Sequence, residues 1–164
     1  MRFFKKKVPA AQAGRALACY HIDADRCWKA VCLLRSFKVP GPIATCEMAF
    51  ARAAALKWAI KASRRNEAAK RAMLESVDAV VADAFDSEQD TPETLAHYRG
   101  RSLQEISHER VAFYEEHAFP SSSLAAVLGR VLGVPGPVSV EASFIFDEEI
   151  ALANRQMAEI AIVA

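Results

Sequence analysis

The sequence predicts an all-α protein, and three observations carry this prediction. Only six of the 164 residues are glycine, alanine-rich runs fill the chain, and apolar residues recur at the spacing of one helix face. Alanine has the highest helix propensity, so such runs favour helices. A chain of this length can bury a sizeable core as one domain. We therefore expect a single-domain helical bundle of about five or six helices over residues 1–164.

The beginning of the chain predicts a basic tail followed by two helices. Residues 1–8 form the tail and include three consecutive lysines. Pro9 suits the start of a helix, where its missing N–H has no intrahelical partner to lose. Apolar periodicity indicates helices over residues 10–22 and 24–37, and Asp23 is a suitable N-cap for the second of them.

The longest uninterrupted segment runs from Ile43 to Phe85 and contains neither glycine nor proline. Globular helices longer than about 25 residues are uncommon, so we expect two helices with a break near residues 63–66. The first helix is apolar around most of its circumference, which is typical of a helix buried among neighbours. We expect its exposed remainder to be the basic positions Arg52, Lys57, Lys61 and Arg64.

The second half of the chain predicts a loop and three more helices. Residues 86–90 are polar and acidic, as in a loop. Thr91 followed by Pro92 is a helix-start signature, with threonine as the N-cap and proline at the first helical position. Apolar spacing then predicts helices over residues 92–117, 124–132 and 140–163.

One five-residue motif occurs twice in the chain. Residues 39–43 read VPGPI, and residues 134–138 read VPGPV. A short turn between two helices makes them antiparallel neighbours, so the motif predicts helical hairpins with Pro-Gly-Pro turns. The recurrence is either a pseudo-repeat, in which residues 10–63 match residues 105–158, or a chance repetition of a common turn.

The net charge of +1 conceals a division between the two halves. Residues 1–71 hold 16 lysines and arginines against four acids, whereas the rest of the chain holds five against 16. Such a division concerns electrostatic partners rather than the fold. The simpler interpretation is that the halves neutralise each other within one molecule or between two copies. The alternative is that the basic half contacts an external polyanion such as a nucleic acid.

The cysteines and the hydropathy pattern indicate a cytoplasmic protein without a membrane span. All four cysteines lie in the first third of the chain, and none forms the C-x-x-C spacing of common zinc sites. We expect them to be reduced thiols that pack as small apolar groups. No window approaches 18 uninterrupted apolar residues, the minimum for a spanning helix.

A single pair of residues has metal-ligand spacing. Glu105 and His108 form the E-x-x-H element of di-iron carboxylate bundles. Such a site needs a second E-x-x-H and two further acids, and the sequence has no second copy. We therefore predict no cofactor and no catalytic residue. A ferritin-like metal-binding bundle that uses these two residues is the alternative.

The absence of a complete catalytic motif favours a non-enzymatic protein that contacts a protein partner or a second copy of itself. One candidate surface is basic and the other is apolar. A regulatory protein that binds a small apolar ligand or a nucleic acid is a further alternative. The candidate partner-binding residues are Arg52, Lys57, Lys61, Arg64 and Arg65 on the basic surface, and Leu124, Leu128, Val131 and Leu132 on the apolar one.

Overall fold

The computed structural model describes residues 7–34, 36–85, 90–134 and 140–163. The all-α prediction is confirmed, because these residues form eight helices and one pair of three-residue strands. The helices are α1 (Ala10–His21), α2 (Ala24–Cys32), α3 (Gly41–Ala62), α4 (Glu67–Ala84), α5 (Pro92–His97), α6 (Leu103–Glu115), α7 (Ser121–Leu132) and α8 (Val140–Glu159). The strands are β1 (Lys7–Pro9) and β2 (Ala161–Val163).

Helix α3 is the centre of the structure, as its apolar circumference predicts. It packs against α1, α2, α4, α6, α7 and α8. Fourteen of its 22 residues are buried, and half of those are alanines. Alanine allows helices to approach from several directions because its side chain is short. The chain therefore wraps around α3, and every site described below includes a residue of this helix or a helix packed on it.

The predicted break in the central segment is confirmed, and side-chain caps define the helix ends around it. Helix α3 ends at Ala62 and α4 begins at Glu67. The side chain of Asn66 accepts a hydrogen bond of 2.8 Å from the backbone N–H of Ala69. Asp23 caps α2 in the same way by accepting from Arg26 N–H at 3.0 Å, as the sequence predicts. Both caps satisfy donors that a helix start leaves without intrahelical partners.

Helices α1 and α4 form the closest helix pair in the described structure. A Cβ atom added at Gly14 would lie 2.5 Å from the carbonyl oxygen of Met73 and 2.7 Å from its Cα. Both contacts are with backbone, so no side-chain rotation can relieve them. The absence of a side chain at Gly14 therefore sets the distance between these two helices.

The single helix predicted over residues 92–117 is wrong, because the chain breaks it into α5 and α6. Arg99 and Gly100 adopt positive φ angles of 58° and 81°, which end the helical path. Ser102 then starts α6 with a capping box: its side chain accepts from Glu105 N–H, and the Glu105 carboxylate accepts from Ser102 N–H. The S-x-x-E signal for this box is present in the sequence.

The two ends of the chain also differ from the prediction. The final helix stops at Glu159 instead of residue 163, and Ala161–Val163 pairs in parallel with Lys7–Pro9. Lys7 and Val8 therefore belong to a strand rather than to a basic tail. Arg65 helps to end α8, because its guanidinium donates to the carbonyl oxygens of Met157 at 2.5 Å and Ile160 at 3.3 Å.

Other predictions fall outside the described residues. The second Pro-Gly-Pro segment, residues 135–137, lies there, as do residues 1–6 of the basic tail and residues 86–89 of the acidic loop. The first Pro-Gly-Pro segment is described: Pro40 is the N-cap of α3, and Gly41 and Pro42 are the first two residues of that helix. The pseudo-repeat and the hairpins stay predictions. The eight helices exceed the five or six that the sequence predicts, partly because the break after α5 divides one predicted helix. No helix in the described ranges is long and apolar enough to cross a bilayer.

Candidate functional site

A cleft of about 540 Å³ lies between α2 and α8, and a residue of α3 contributes to its lining. This volume falls within the range of about 300 to 1,000 Å³ that is common for small-molecule sites. We call it the α2–α8 cleft. It is lined by four cations (Arg26, Lys29, Arg52 and Arg155), two acids (Glu148 and Glu149) and five apolar residues (Ala30, Leu33, Ile145, Ala151 and Leu152).

Regular helical spacing produces the two walls of the cleft. Lining residues follow the i, i+3, i+4, i+7 pattern of a single helix face on α2 and again on α8. The neighbouring face of α2 carries Cys27 and Val31, which are fully buried in the core and hold the helix in place. The residues in the pattern are Arg26, Lys29 and Ala30 on α2 with Leu33 directly after its end, and Ile145, Glu148, Glu149 and Leu152 on α8.

The base of the cleft is a buried network of charged and polar groups. One carboxylate oxygen of Glu149 accepts a 2.5 Å hydrogen bond from the guanidinium of Arg52, and its other oxygen contacts Nδ1 of His21. Nε2 of His21 lies 3.0 Å from Oε1 of Gln156. Arg52 and His21 are 2% and 0% exposed. The network therefore joins α1, α3 and α8 beneath the cleft.

The electrostatics of this network keep Glu149 ionised. Burial alone would raise the pKa of the Glu149 carboxyl group, but the hydrogen bond from His21 and the charge of Arg52 outweigh burial and lower it. The carboxylate is thus negative at neutral pH, and it neutralises Arg52. At the base of the cleft, the charges of Arg52 and Glu149 therefore compensate each other.

The wall of the cleft has more cations than acids. In the described part of the chain, Arg26, Lys29 and Arg155 form no ion pair, whereas Glu148 is the only acid in the lining besides the paired Glu149. The Nε atoms of Arg26 and Arg52 are buried donors with no hydrogen-bond partner among the described residues. The cleft is therefore rich in donors and positive charge and poor in acceptors.

The titratable groups at and beside the base of the cleft are engaged in hydrogen bonds or buried. Both ring nitrogens of His21 are already engaged, and so are both carboxylate oxygens of Glu149. Cys27 is buried beside the network, and burial raises the pKa of its thiol to about 11, so it is neutral near pH 7.

A second buried charge lies on another side of α3. Glu47 is 0% exposed, and its carboxylate accepts hydrogen bonds from the hydroxyl groups of Tyr98 and Tyr114, both at 2.7 Å, and from Arg110 at 2.6 Å. Burial and the negative charge of Glu47 raise the pKa of both tyrosines. The cluster connects α3 with α6 and with the turn after α5.

The residues predicted to form a basic surface are separated in the structure. Arg52 lies inside the protein, which corrects its expected exposure: its charge is compensated by Glu149 from a distant part of the chain. Lys57 binds Asp78 at 2.9 Å and Glu115 at 3.3 Å, and Lys61 also contacts Glu115. These pairs join the basic and acidic halves, as the charge division predicts.

The two remaining basic residues differ from each other. Arg65 is partly buried at the end of α8, where its guanidinium binds backbone carbonyls. Arg64 is exposed and borders a shallow depression between α8 and the connection from α3 to α4.

The residues predicted to form an apolar surface lie mainly in the core. Leu124, Leu128 and Leu132 are at most 1% exposed and pack in the central hydrophobic cluster, which corrects their expected place on a surface. Val131 is partly buried against the same cluster. The apolar stripe of α7 thus serves the packing of α7 on α3 and α8.

Glu105 and His108, the alternative metal pair, make local contacts on α6. The Glu105 carboxylate belongs to the capping box of α6, where it accepts from Ser102 N–H at 2.9 Å. His108 is exposed one turn further on, and its Nδ1 lies 3.5 Å from the hydroxyl group of Ser107. Within the described ranges, no three His, Cys, Asp or Glu side chains are close enough together to hold a metal ion.

The sequence analysis did not predict the α2–α8 cleft, although the amphipathic pattern of one of its walls can be recognised in the sequence. The spacing of Arg26, Lys29 and Leu33 places two cations and a leucine on one face of α2, which is a recognisable amphipathic pattern. Nothing in the sequence indicates that α8 faces this stripe.

Comparisons of the chain with protein-family models, curated proteins and solved structures found no match.

Proposed function

We propose that the protein binds a small organic anion in the α2–α8 cleft. The observation that carries this proposal is the excess of cations over acids in the lining, with Arg26, Lys29 and Arg155 free of ion pairs within the described chain. A ligand that carries negative charge would compensate these three charges and accept hydrogen bonds from them. Arginine in particular presents planar, paired donors that match carboxylate and phosphate oxygens.

The apolar part of the lining supports an organic ligand rather than a simple inorganic ion. Leu33, Ile145 and Leu152 line the cleft together with two alanines. Small-molecule sites commonly combine apolar walls with a few polar groups that fix orientation. The buried Arg52–Glu149 ion pair forms the base of this site.

Calorimetric titration with hexanoate tests the proposal, with Arg155→Glu as the test variant and Arg130→Glu as the matched control. Arg155 lines the cleft, whereas Arg130 is an exposed arginine on α7 that does not. We expect hexanoate to bind the wild type and the control alike, and the Arg155 variant to bind at least about tenfold more weakly because the charge is reversed. Equal affinity of hexanoate for all three proteins would contradict the proposal, as would the failure of both hexanoate and hexyl phosphate to bind the wild type.

Contact with a protein partner or a second copy of the chain is a second candidate. Three large apolar side chains support it, because Leu33, Phe119 and Phe144 are 62%, 63% and 57% exposed. Light scattering over a range of protein concentrations tests self-association. We expect a mass that rises toward a dimer in the wild type and less so in Phe119→Asp. A constant monomer mass at every concentration would count against this candidate.

We also propose a cytoplasmic location. All four cysteines are free thiols, and Cys19 and Cys32 are exposed. Exposed thiols persist where the environment is reducing, whereas disulfides accumulate in oxidising compartments.

A further inference from the structure

The two ends of the α2–α8 cleft differ, and one contact shows which ends of α2 and α8 lie side by side. The guanidinium carbon of Arg26 lies 3.8 Å from the centre of the Tyr20 ring. Tyr20 in turn lines a neighbouring groove together with Gln156 and Glu159 from the end of α8. The start of α2 therefore lies beside the C-terminal part of α8, where Arg155 is located.

The opposite end of the cleft carries the apolar side chains of Leu33 and Ile145, with Glu148 one helical turn from Ile145. Leu33 lies seven residues after Arg26, or about 10 Å along the helix direction, and Ile145 lies ten residues before Arg155, or about 15 Å. Because both residues line the same cleft, they occupy its other end. The cleft thus has a cationic end and an apolar end, separated by roughly the length of a six-carbon chain with its head group.

The charge at the cationic end exceeds what one carboxylate can neutralise. Arg26, Lys29 and Arg155 are free of ion pairs in the described structure, and Lys29 lies one turn from Arg26 toward the middle of the cleft. Glu148 is the only unpaired acid in the described lining of the whole cleft, and it lies seven residues before Arg155, nearer to Ile145. Two positive charges therefore remain after Glu148 is counted.

From these observations, and resting on the proposed function, we infer that the ligand is an amphipathic phosphate monoester. Its dianionic head binds Arg26, Lys29 and Arg155, and its apolar chain extends toward Leu33 and Ile145. A phosphate monoester carries close to two negative charges at neutral pH, whereas a carboxylate carries one. Its three terminal oxygens can also accept from two arginines and a lysine at once.

A matched series of probes tests this inference: hexyl phosphate, hexanoate, hexanol and inorganic phosphate, each titrated calorimetrically at the same ionic strength. We expect hexyl phosphate to bind at least about tenfold more tightly than each of the other three. Its affinity should also rise between about pH 5 and about pH 7.5, as the second phosphate proton dissociates near pH 6. Hexanoate should show no comparable rise over this range.

Two variants test the cationic end and the apolar end of the site separately. Arg155→Gln should weaken hexyl phosphate and inorganic phosphate alike. Leu33→Asn should weaken hexyl phosphate but leave inorganic phosphate unchanged, and because Leu33 is 62% exposed this substitution should not disturb folding. If Leu33→Asn has no effect on hexyl phosphate, the proposed orientation of the ligand is wrong.

The possible results distinguish this inference from the function on which it rests. If hexanoate binds as tightly as hexyl phosphate, the cleft is an anion site without preference for a dianion, and only the inference fails. If neither binds, both fail. Co-sedimentation with phosphatidylcholine vesicles that contain phosphatidic acid identifies the source of the monoester: sedimentation that Arg155→Gln abolishes indicates a lipid, and hexyl phosphate binding without sedimentation indicates a soluble metabolite.

Discussion

Replacing Gly14 with valine should unfold the protein or lower its free energy of unfolding by about 3 kcal/mol or more. The first atom of any side chain at this position would lie 2.5 Å from the backbone of Met73, so α1 and α4 would have to separate. Because α1 carries His21, this separation would also disturb the network under the α2–α8 cleft. Urea unfolding followed by circular dichroism measures the loss.

A valine at Ala11 is the matched control for this prediction. Ala11 lies on the exposed face of the same helix, so the substitution should cost only the lower helix propensity of valine, about 0.5 kcal/mol. Similar losses for Gly14→Val and Ala11→Val would show that the helix pair is not as close as described. Gly14→Ala should also be destabilising, although alanine is otherwise the better helix former by about 1 kcal/mol.

Replacing Glu47 with alanine should lower the free energy of unfolding by about 3 to 5 kcal/mol. The carboxylate is fully buried and accepts from Tyr98, Tyr114 and Arg110. Its removal leaves a guanidinium without its counter-charge and two hydroxyl groups without acceptors. Urea unfolding of the purified variant measures this effect as well.

Glu109 supplies the contrast for Glu47, because it forms an ion pair of 2.8 Å with Arg101 on the surface of the protein. Exposed pairs are screened by solvent, so Glu109→Ala should cost less than about 1 kcal/mol. Tyr98→Phe should give an intermediate loss near 1 kcal/mol, since one hydrogen bond is removed while the charge stays compensated. If Glu47→Ala is no worse than Glu109→Ala, the cluster does not hold the helices together.

Local signals predicted most of the helices. Apolar spacing located α3 and α4, and the predicted caps Asp23 and Thr91 each accept a hydrogen bond from the turn that follows. A cap depends on residues that are close together in the chain, so it can be recognised from the sequence. The break between α5 and α6 could have been predicted in the same way, because Ser102 and Glu105 form a recognisable capping box. The strands could not, because β1 and β2 are too short to show a pattern and lie at opposite ends of the chain.

The buried charges could not be predicted from periodicity. Arg52 lies on an alanine-rich helix, where a charged residue is ordinarily assigned to the solvent-exposed face. Its counter-charge, Glu149, is 97 residues away, and Tyr114 is 67 residues from Glu47. A charge can be buried only if such a partner is present, and the sequence does not identify pairs at this separation. The α2–α8 cleft depends on the same long-range pairing, so it also escaped prediction.

The location of a bound anion tests the central claim most directly. In a titration of the wild-type protein with hexyl phosphate followed by backbone amide NMR, we expect the largest shift changes at Arg26, Lys29 and Arg155, with a second group at Leu33 and Ile145. Amides around Glu47 and Arg130 should remain unchanged. Shift changes concentrated outside the α2–α8 cleft, or none at saturating ligand, would contradict the account.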